Sequence, residues 1–260
     1  MKVFVLGHRG MLGHVLTRYL REQGHQVLTT EERYRGEPKD PFISAVMRSN
    51  AEWVVNAIGK IKQKCLEPSD LMLGNTLLPI HLKSFLTSGQ RLIHASTDCV
   101  FSGKRGRYQV DDTRDAEDAY GLSKLLGEVI AERGVCQIIR TSIIGPETGT
   151  GSGLMGWFLS QSRPVNGYTN HFWNGITTLQ WAKICGGIID GSLIPAKGIL
   201  QLASDRPVSK QELLKIIAAV WPHSISINAM EAPERIDRTL EPDLACPSIE
   251  EQMVELRQWY

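Results

Sequence analysis

The segment GHRGMLG carries Gly7, Gly10 and Gly13 directly after one short apolar run and directly before a helix-patterned one. That placement suits phosphate binding. Gly7 permits a tight turn, Gly10 lets a backbone approach a pyrophosphate, and Gly13 allows close helix–strand packing. The N–H groups opening the helix then face the anion. As an isolated string the spacing is common; between a strand and a helix it is informative. A second set of polar residues falls at strand ends. Asn56 closes WVVN, and Ser96 and Thr97 follow RLIHA. Carboxyl ends of strands are where open α/β sheets bind ligands, although Asn and Ser-Thr-Asp runs also make ordinary turns. A third pair, Tyr120 and Lys124, stands four positions apart in DAYGLSKLLGEVI. Read as a helix, this segment has an apolar stripe of Leu122, Leu125, Leu126, Val129 and Ile130 pointing away from that pair. Its polar face is therefore either wet or turned into a pocket, and periodicity alone favours solvent.

These residues need a scaffold that collects them. KVFVLG, HQVLTT, EWVVNAIG, RLIHAST and CQIIRTSIIG read as strands, separated by helical patterns at MLGHVLTRYLREQG, PFISAVMRSN, 70–88 (with a kink expected at Pro79) and the Tyr120 segment. Strands alternating with helices predict a doubly wound parallel sheet of the Rossmann type. The rhythm weakens after Gly145, at the Gly-rich stretch PETGTGSG. Beyond it, LMGWFLSQ, TLQWAKICGGIID and SKQELLKIIAAVW read as helices, the last capped by Ser209. GILQLAS reads as a strand and IEEQMVELRQWY as a closing helix. The expected division is a nucleotide-binding domain over 1–150 and a smaller substrate lobe over 151–260, some of whose segments return to the sheet. Trp157 and Phe158 read as core, and the charge runs EERYR and APERIDR as solvated faces.

The second strand bears on cofactor choice. An acidic residue at its end would hold a ribose 2′-hydroxyl; here it ends at Thr30, with Glu31, Glu32 and Arg33 following and Arg9 inside the glycine loop. The arginines favour NADP(H), and Glu31 keeps NAD(H) open.

Composition excludes other classes. Lys plus Arg is 29 against 28 for Asp plus Glu, so no basic surplus points to nucleic acid. No apolar run is long enough to predict a membrane span. MKVFVLG is too short for a leader and reads as a first strand, which with five cysteines lacking paired spacing predicts a cytoplasmic protein with reduced thiols. No histidine or cysteine spacing suggests a metal. The seven histidines include His94, read as a plain strand residue.

The order glycine loop, Asn56, Ser96-Thr97, Tyr120, Lys124 resembles the short-chain dehydrogenase/reductase superfamily. STDCVFSG is similar to STDYVFDG, and YGLSKLLGE to YGxSKLxGE, of the dTDP-4-dehydrorhamnose reductase family. CQIIRTSIIG, WNGITTLQWA and the closing helix continue the likeness over nearly the whole chain. The resemblance implies a reductase of a nucleotide-diphospho-4-keto-6-deoxyhexose in surface polysaccharide or deoxysugar biosynthesis. It implies Tyr120 as general acid to the C4 carbonyl, Lys124 lowering the phenol's pKa and holding the nicotinamide ribose, and Thr97 orienting the carbonyl. Expected cofactor contacts add Gly7, Arg9, Gly10, Met11, Leu12, Gly13, Thr30, Arg33, Asn56, Ala57, Ile58, Gly59 and Ser96. Expected substrate contacts are Thr97, Asp98, Cys99, Asn170, Trp173 and Asn174. Two departures stand out: Cys99 replaces the family tyrosine, and Val15 stands where some members use an acidic residue in a metal-bridged dimer. The chain is also short for the family. Oligomeric state stays open, a homodimer included. Two rival readings remain: a non-catalytic cofactor-binding partner of another enzyme, and an epimerase or dehydratase on the same fold.

Overall fold

A computed structural model describes residues 1–37, 39–62, 67–149, 151 and 153–260. Cys65 and part of the PETGTGSG stretch, Thr150 and Ser152, lie outside the described residues. In chain order the elements are β1 (Lys2–Leu6), α1 (Met11–Glu22), β2 (Gln26–Leu28), α2 (Pro41–Arg48), β3 (Trp53–Asn56), α3 (Pro68–Met72), a π turn (Leu73–Leu77), α4 (Leu78–Ser84) and β4 (Arg91–Ser96). A 3-10 turn (Asp98–Val100), α5 (Ala119–Gly127), a second 3-10 turn (Glu128–Ile130), β5 (Cys136–Arg140), β6 (Ile143–Ile144) and α6 (Leu154–Leu159) follow. Then come β7 (Val165–Tyr168), β8 (His171–Trp173), β9 (Ile176–Thr177), α7 (Thr178–Asp190), β10 (Ile199–Ser204), β11 (Val208–Ser209) and α8 (Lys210–Val220). The chain closes with β12 (Ile227–Met230), β13 (Ile236–Asp237), β14 (Leu244–Cys246) and α9 (Ile249–Trp259).

The central sheet has seven strands in the order β14-β10-β5-β4-β3-β1-β2, every pair parallel. The chain winds one way from β1 to β2 and the other way from β3 onward. The direction therefore reverses between β1 and β3, where a doubly wound sheet opens a crevice at its carboxyl edge. β10 and β14, from the C-terminal part, complete the sheet. The pleat sends Val3 and Val5 to one core with α1, α7 and α9, and Phe4 and Leu6 to the other with α2 and α4. A parallel strand buried on both faces must be apolar throughout, which is why KVFVL shows no alternation. Among the described residues no helix is long and apolar enough to cross a membrane.

One expectation about helices is refined and one is overturned. The irregularity foreseen at Pro79 takes the form of a π turn just ahead of it. Pro79 has no N–H to give the Asn75 carbonyl, so the ladder is already broken four residues upstream. The second concerns α5. Its leucines do not seat it on the sheet: Leu122, Leu126 and Val129 are exposed, Val129 at 70%, and of the stripe only Ile130 is fully buried, while Leu125 is half-buried. The buried face is instead Gly121, Ser123, Lys124 and Gly127. A Cβ on Gly127 would lie 2.2 Å from the Asn75 carbonyl oxygen, so small residues let α5 meet the π turn backbone to backbone. Polar bonds close the contact: Asn75 Nδ2 donates to Ser123 Oγ at 3.0 Å, and Thr76 Oγ1 to the Ser123 carbonyl at 2.7 Å. Val129→Lys is accordingly expected to leave unfolding free energy within about 0.5 kcal/mol of wild type. Ile130→Lys, which buries a charge without a partner, is expected to cost several kcal/mol. Chemical denaturation of both variants checks the orientation.

Candidate active site

One open cleft of about 1110 Å³ runs along the carboxyl edge of the sheet. Single small-molecule sites span roughly 300–1,000 Å³, so the cleft is at the large end of that range. At one end lies the glycine loop. Gly7 has φ +80°, a conformation suited to glycine, and a Cβ on Gly13 would lie 2.1 Å from the Gly7 carbonyl oxygen. Gly13 is thus the close-packing residue and does not itself line the cleft. Gly10 caps α1 with no side-chain bond to the free N–H groups, which leaves the helix N-terminus available to an anion. Gly7, Arg9, Gly10, Met11, Leu12, Thr30, Arg33, Ala57, Ile58, Gly59 and Ser96 all line the cleft. At its mouth Glu31 pairs with Arg9 at 2.6 Å and with His8 at 3.2 Å.

Asn56 is placed differently from expectation. It is fully buried and lines no part of the cleft. Its Oδ1 accepts from the Ile58 N–H at 3.1 Å, and its Nδ2 donates to His94 Nδ1 at 3.1 Å. The side chain holds the Ala57–Gly59 loop from behind while that loop faces the cleft. His94 is therefore more than a strand residue. Burial and then Lys124 push its pKa well down, so it is neutral, with Nε2 carrying the proton.

At the other end Thr97, Asp98, Cys99, Tyr120, Lys124 and Trp173 line the cleft together. Gly121 brings them into register: a Cβ there would lie 2.3 Å from the Cys99 carbonyl oxygen, so α5 rests on the turn after β4. Asp118 caps α5 through the Gly121 N–H at 2.9 Å. Thr97 Oγ1 donates to Asp98 Oδ1 at 3.0 Å and accepts from the Cys99 N–H at 3.2 Å. Lys124 is 3% exposed and donates to the Ala95 carbonyl at 2.5 Å. Burial brings its pKa down to about 8, against the opposing pull of Glu128. The Tyr120 phenol is pushed up, by burial first and then by Cys99, with the Thr97 hydroxyl acting the other way. Burial therefore dominates at Tyr120, and near neutrality the phenol is a protonated donor. Burial and then Asp98 push the Cys99 thiol up to about 12, so it is a neutral wall residue. Cys136, Cys185 and Cys246 are also free and buried.

The two substrate asparagines lie outside the cleft. Asn170 gives both amide atoms to Ala232, at 2.8 and 2.9 Å, and Asn174 gives both to Leu240, at 2.8 and 3.0 Å. Each braces the 230–240 segment, and neither lines the cleft. Trp173 differs: its ring lines the cleft while Nε1 donates to Ser142 Oγ at 2.7 Å. Phe158 is core, whereas Trp157 is 40% exposed, contrary to the core reading, because it falls on the outer side of the short α6.

Three residues of this end were missed. Lys210 and Arg238 line the cleft, and Asn75 ties the π turn to Ser123. Lys210 had a signal: it opens α8, where the helix dipole disfavours a cation. Its ammonium stands 5.6 Å from the Trp173 ring. Arg238 was hidden in a run read as solvated; in fact its Nε donates to the Phe101 carbonyl at 3.0 Å, and Asp237 beside it is buried. EERYR is likewise no plain surface, since Glu31, Glu32, Arg33 and Tyr34 line the cleft. Among the described residues no group of His, Cys, Asp and Glu is set to hold a metal.

The model of the family described as the RmlD substrate binding domain matches residues 1–260. The spore coat polysaccharide biosynthesis protein SpsK of Bacillus subtilis is 32% identical over 149 residues, 54% of this chain and 52% of that protein. A dTDP-4-dehydrorhamnose reductase of Mycolicibacterium smegmatis is 28% identical over 148 residues, 54% of this chain and 45% of the relative. The chain thus matches about half the length of these curated relatives. A crystal structure of dTDP-4-dehydrorhamnose reductase from Bacillus anthracis in complex with NADP superposes with a TM-score of 0.83 at 17% identity, covering 100% of this chain and 99% of the other. At that identity the likeness is one of fold.

Proposed function

The chain belongs to the RmlD substrate binding domain family, and on that premise we propose that it is an NADP(H)-dependent reductase of a nucleotide-diphospho-4-keto-6-deoxyhexose. The reaction serves surface polysaccharide or deoxysugar biosynthesis. One observation carries the reading: Thr97, Tyr120 and Lys124 converge on the same cleft as the glycine loop and the uncapped N-terminus of α1. The dinucleotide fits this cradle, with Gly7, Gly10 and the first turn of α1 at its pyrophosphate and Arg9 and Arg33 at its adenosine end. When bound, it supplies the hydride. Lys124 holds the nicotinamide ribose hydroxyls. Thr97 orients the sugar carbonyl by turning its hydroxyl from Asp98 to the ligand. Tyr120, kept protonated by its burial, delivers the proton to the carbonyl oxygen. Trp173, Cys99, Lys210 and Arg238 wall the sugar's side of the cleft.

The test is consumption of NADPH by the purified protein with a panel of nucleotide-linked 4-ketosugars. Oxidation with one of them is expected. Tight cofactor binding with no reduction of any member would overturn the reading. Net oxidation also separates a reductase from an epimerase or dehydratase, which regenerate their cofactor.

Cofactor preference rests on the Glu31 group. The Arg9 guanidinium that would meet a 2′-phosphate is engaged by Glu31, whose own carboxylate would repel it. Glu31→Gln is expected to raise the preference for NADPH over NADH by about fivefold. That is the ~1 kcal/mol of a like charge removed near solvent. The ratio of kcat/KM for the two cofactors measures it, and an unchanged ratio would place Glu31 away from the 2′ position.

A further inference from the structure

Glu128 lies one turn beyond Lys124 and lines no part of the cleft. Its side chain and that of Arg140, at the end of β5, are both 0% exposed. Arg140 Nε and Nη2 donate to the two carboxylate oxygens at 2.9 and 2.7 Å. Ser96 Oγ donates to Oε1 at 2.6 Å, and Arg114 to Oε2 at 3.1 Å. Arg140 gives its remaining nitrogen to the Val110 carbonyl and Gln201 Oε1, at 2.9 and 3.0 Å. A fully satisfied buried pair of this kind is seldom a better stabiliser than packed apolar side chains of equal volume. Its location suggests a different use. Ser96 immediately precedes Thr97, and Glu128 shares one face of the helical segment with Lys124.

We propose that Glu128, braced by Arg140, is a positioning residue that ties the end of β4 to the Lys124 segment and supplies Lys124 with its counter-charge. The inference rests on the proposed role of Lys124 as the cofactor's ribose-binding cation. Burial works against the Lys124 ammonium, and Glu128 is the charge that opposes it. Burial also works against the Glu128 carboxylate itself, yet the bonds from Arg140, Ser96 and Arg114 hold it ionised, below the usual range. The other groups facing Lys124 do not replace it. His94 on β4 is neutral, and Cys99 on the turn after β4 and Tyr120 on α5 are protonated. Asp98 lies on that same turn with its carboxylate on Thr97, and Asp70 lines the cleft from α3.

The experiment is a pH titration of NADPH binding by fluorescence, run beside the pH profile of turnover. In the wild type both are expected to decline as pH rises through about 8, where Lys124 loses its proton. Glu128→Gln should move that decline to lower pH by about 1 unit, and Arg140→Gln, which takes from Glu128 the bonds that hold it ionised, should move it the same way. The double variant should add little to Glu128→Gln alone. A merely structural pair would lower stability or rate and leave the position of the decline fixed. An unmoved decline, or opposite directions of shift in the two single variants, would overturn the proposal. If Glu128→Gln does not fold, Arg140→Gln and the double variant still carry the decision. The binding arm also stands apart from the reaction: failure to reduce any ketosugar would sink the proposed activity and leave the Glu128 result readable.

Discussion

Tyr120→Phe is expected to lower kcat by about 10³-fold while NADPH affinity stays within about twofold of wild type, because general-acid catalysis is worth roughly 10²–10⁴-fold. The substitution removes one oxygen and keeps the ring. The Gly121 contact with the turn after β4, the Asp118 cap and the Lys124 bond to Ala95 are left in place. What is lost is the proton. The phenol lies above its ordinary range, by burial and then the neighbouring Cys99, so near neutrality it is loaded for donation in the reductive direction. With phenylalanine the alkoxide formed by hydride arrival has no positioned donor. Single-turnover and steady-state rates, with cofactor affinity measured by fluorescence, check the split between binding and chemistry. A variant that keeps most of its turnover would remove Tyr120 from the role and move attention to the other cleft hydroxyls, Thr97 and Ser96.

Why such residues were visible in the sequence, and others were not, follows from the kind of constraint each obeys. The glycine loop obeys a local one. Gly7 needs its left-handed φ and Gly13 needs the absence of a Cβ, and both needs are met within seven residues. The strands are legible for a similar reason: a parallel strand buried on both faces is mostly apolar, as in the VFVL of β1 and the WVV of β3. The family likeness of STDCVFSG and YGLSKLLGE then located Thr97, Tyr120 and Lys124, which the cleft does bring together. Asn170 and Asn174 show the limit. Nothing in NHFWNG tells that both amides will be spent on the backbone of residues more than sixty positions away. Lys210 and Arg238 depend on the same kind of distant packing. For α5 the pattern was misleading, since a hydrophobic stripe is evidence for a core face only when the opposite face is poor. Here the opposite face carries Gly121, Ser123 and Gly127, which gain more from close backbone approach than leucines gain from burial.

That reversal yields the second large effect. Gly121→Ala adds one methyl group, and its Cβ would lie 2.3 Å from the Cys99 carbonyl oxygen and 2.8 Å from the Ala116 Cβ. Neither neighbour can swing aside as the end of a flexible side chain would, because one is backbone and the other a β-carbon. The helix must therefore retreat from the turn after β4. Overpacking of this kind is expected to cost about 1–3 kcal/mol of stability. Alanine's better helix propensity offsets up to about 1 kcal/mol of that. The catalytic cost is expected to be larger. Tyr120 is the adjacent residue and Thr97 begins the turn, so any retreat separates the proton donor from the group that orients the carbonyl. A displacement of about 1 Å can reduce turnover by roughly 10²-fold. Gly127→Ala separates position from stability. Its Cβ would lie 2.2 Å from the Asn75 carbonyl oxygen, a comparable clash with the π turn at the far end of α5, two turns from the phenol. It is expected to destabilise to a similar degree with the smaller loss of turnover. Denaturation midpoints and kcat for the two variants, compared at a temperature where both remain folded, decide the matter. Equal losses of turnover would mean that α5 moves as one rigid body, and that Gly121 has no special part in setting the distance between Thr97 and Tyr120.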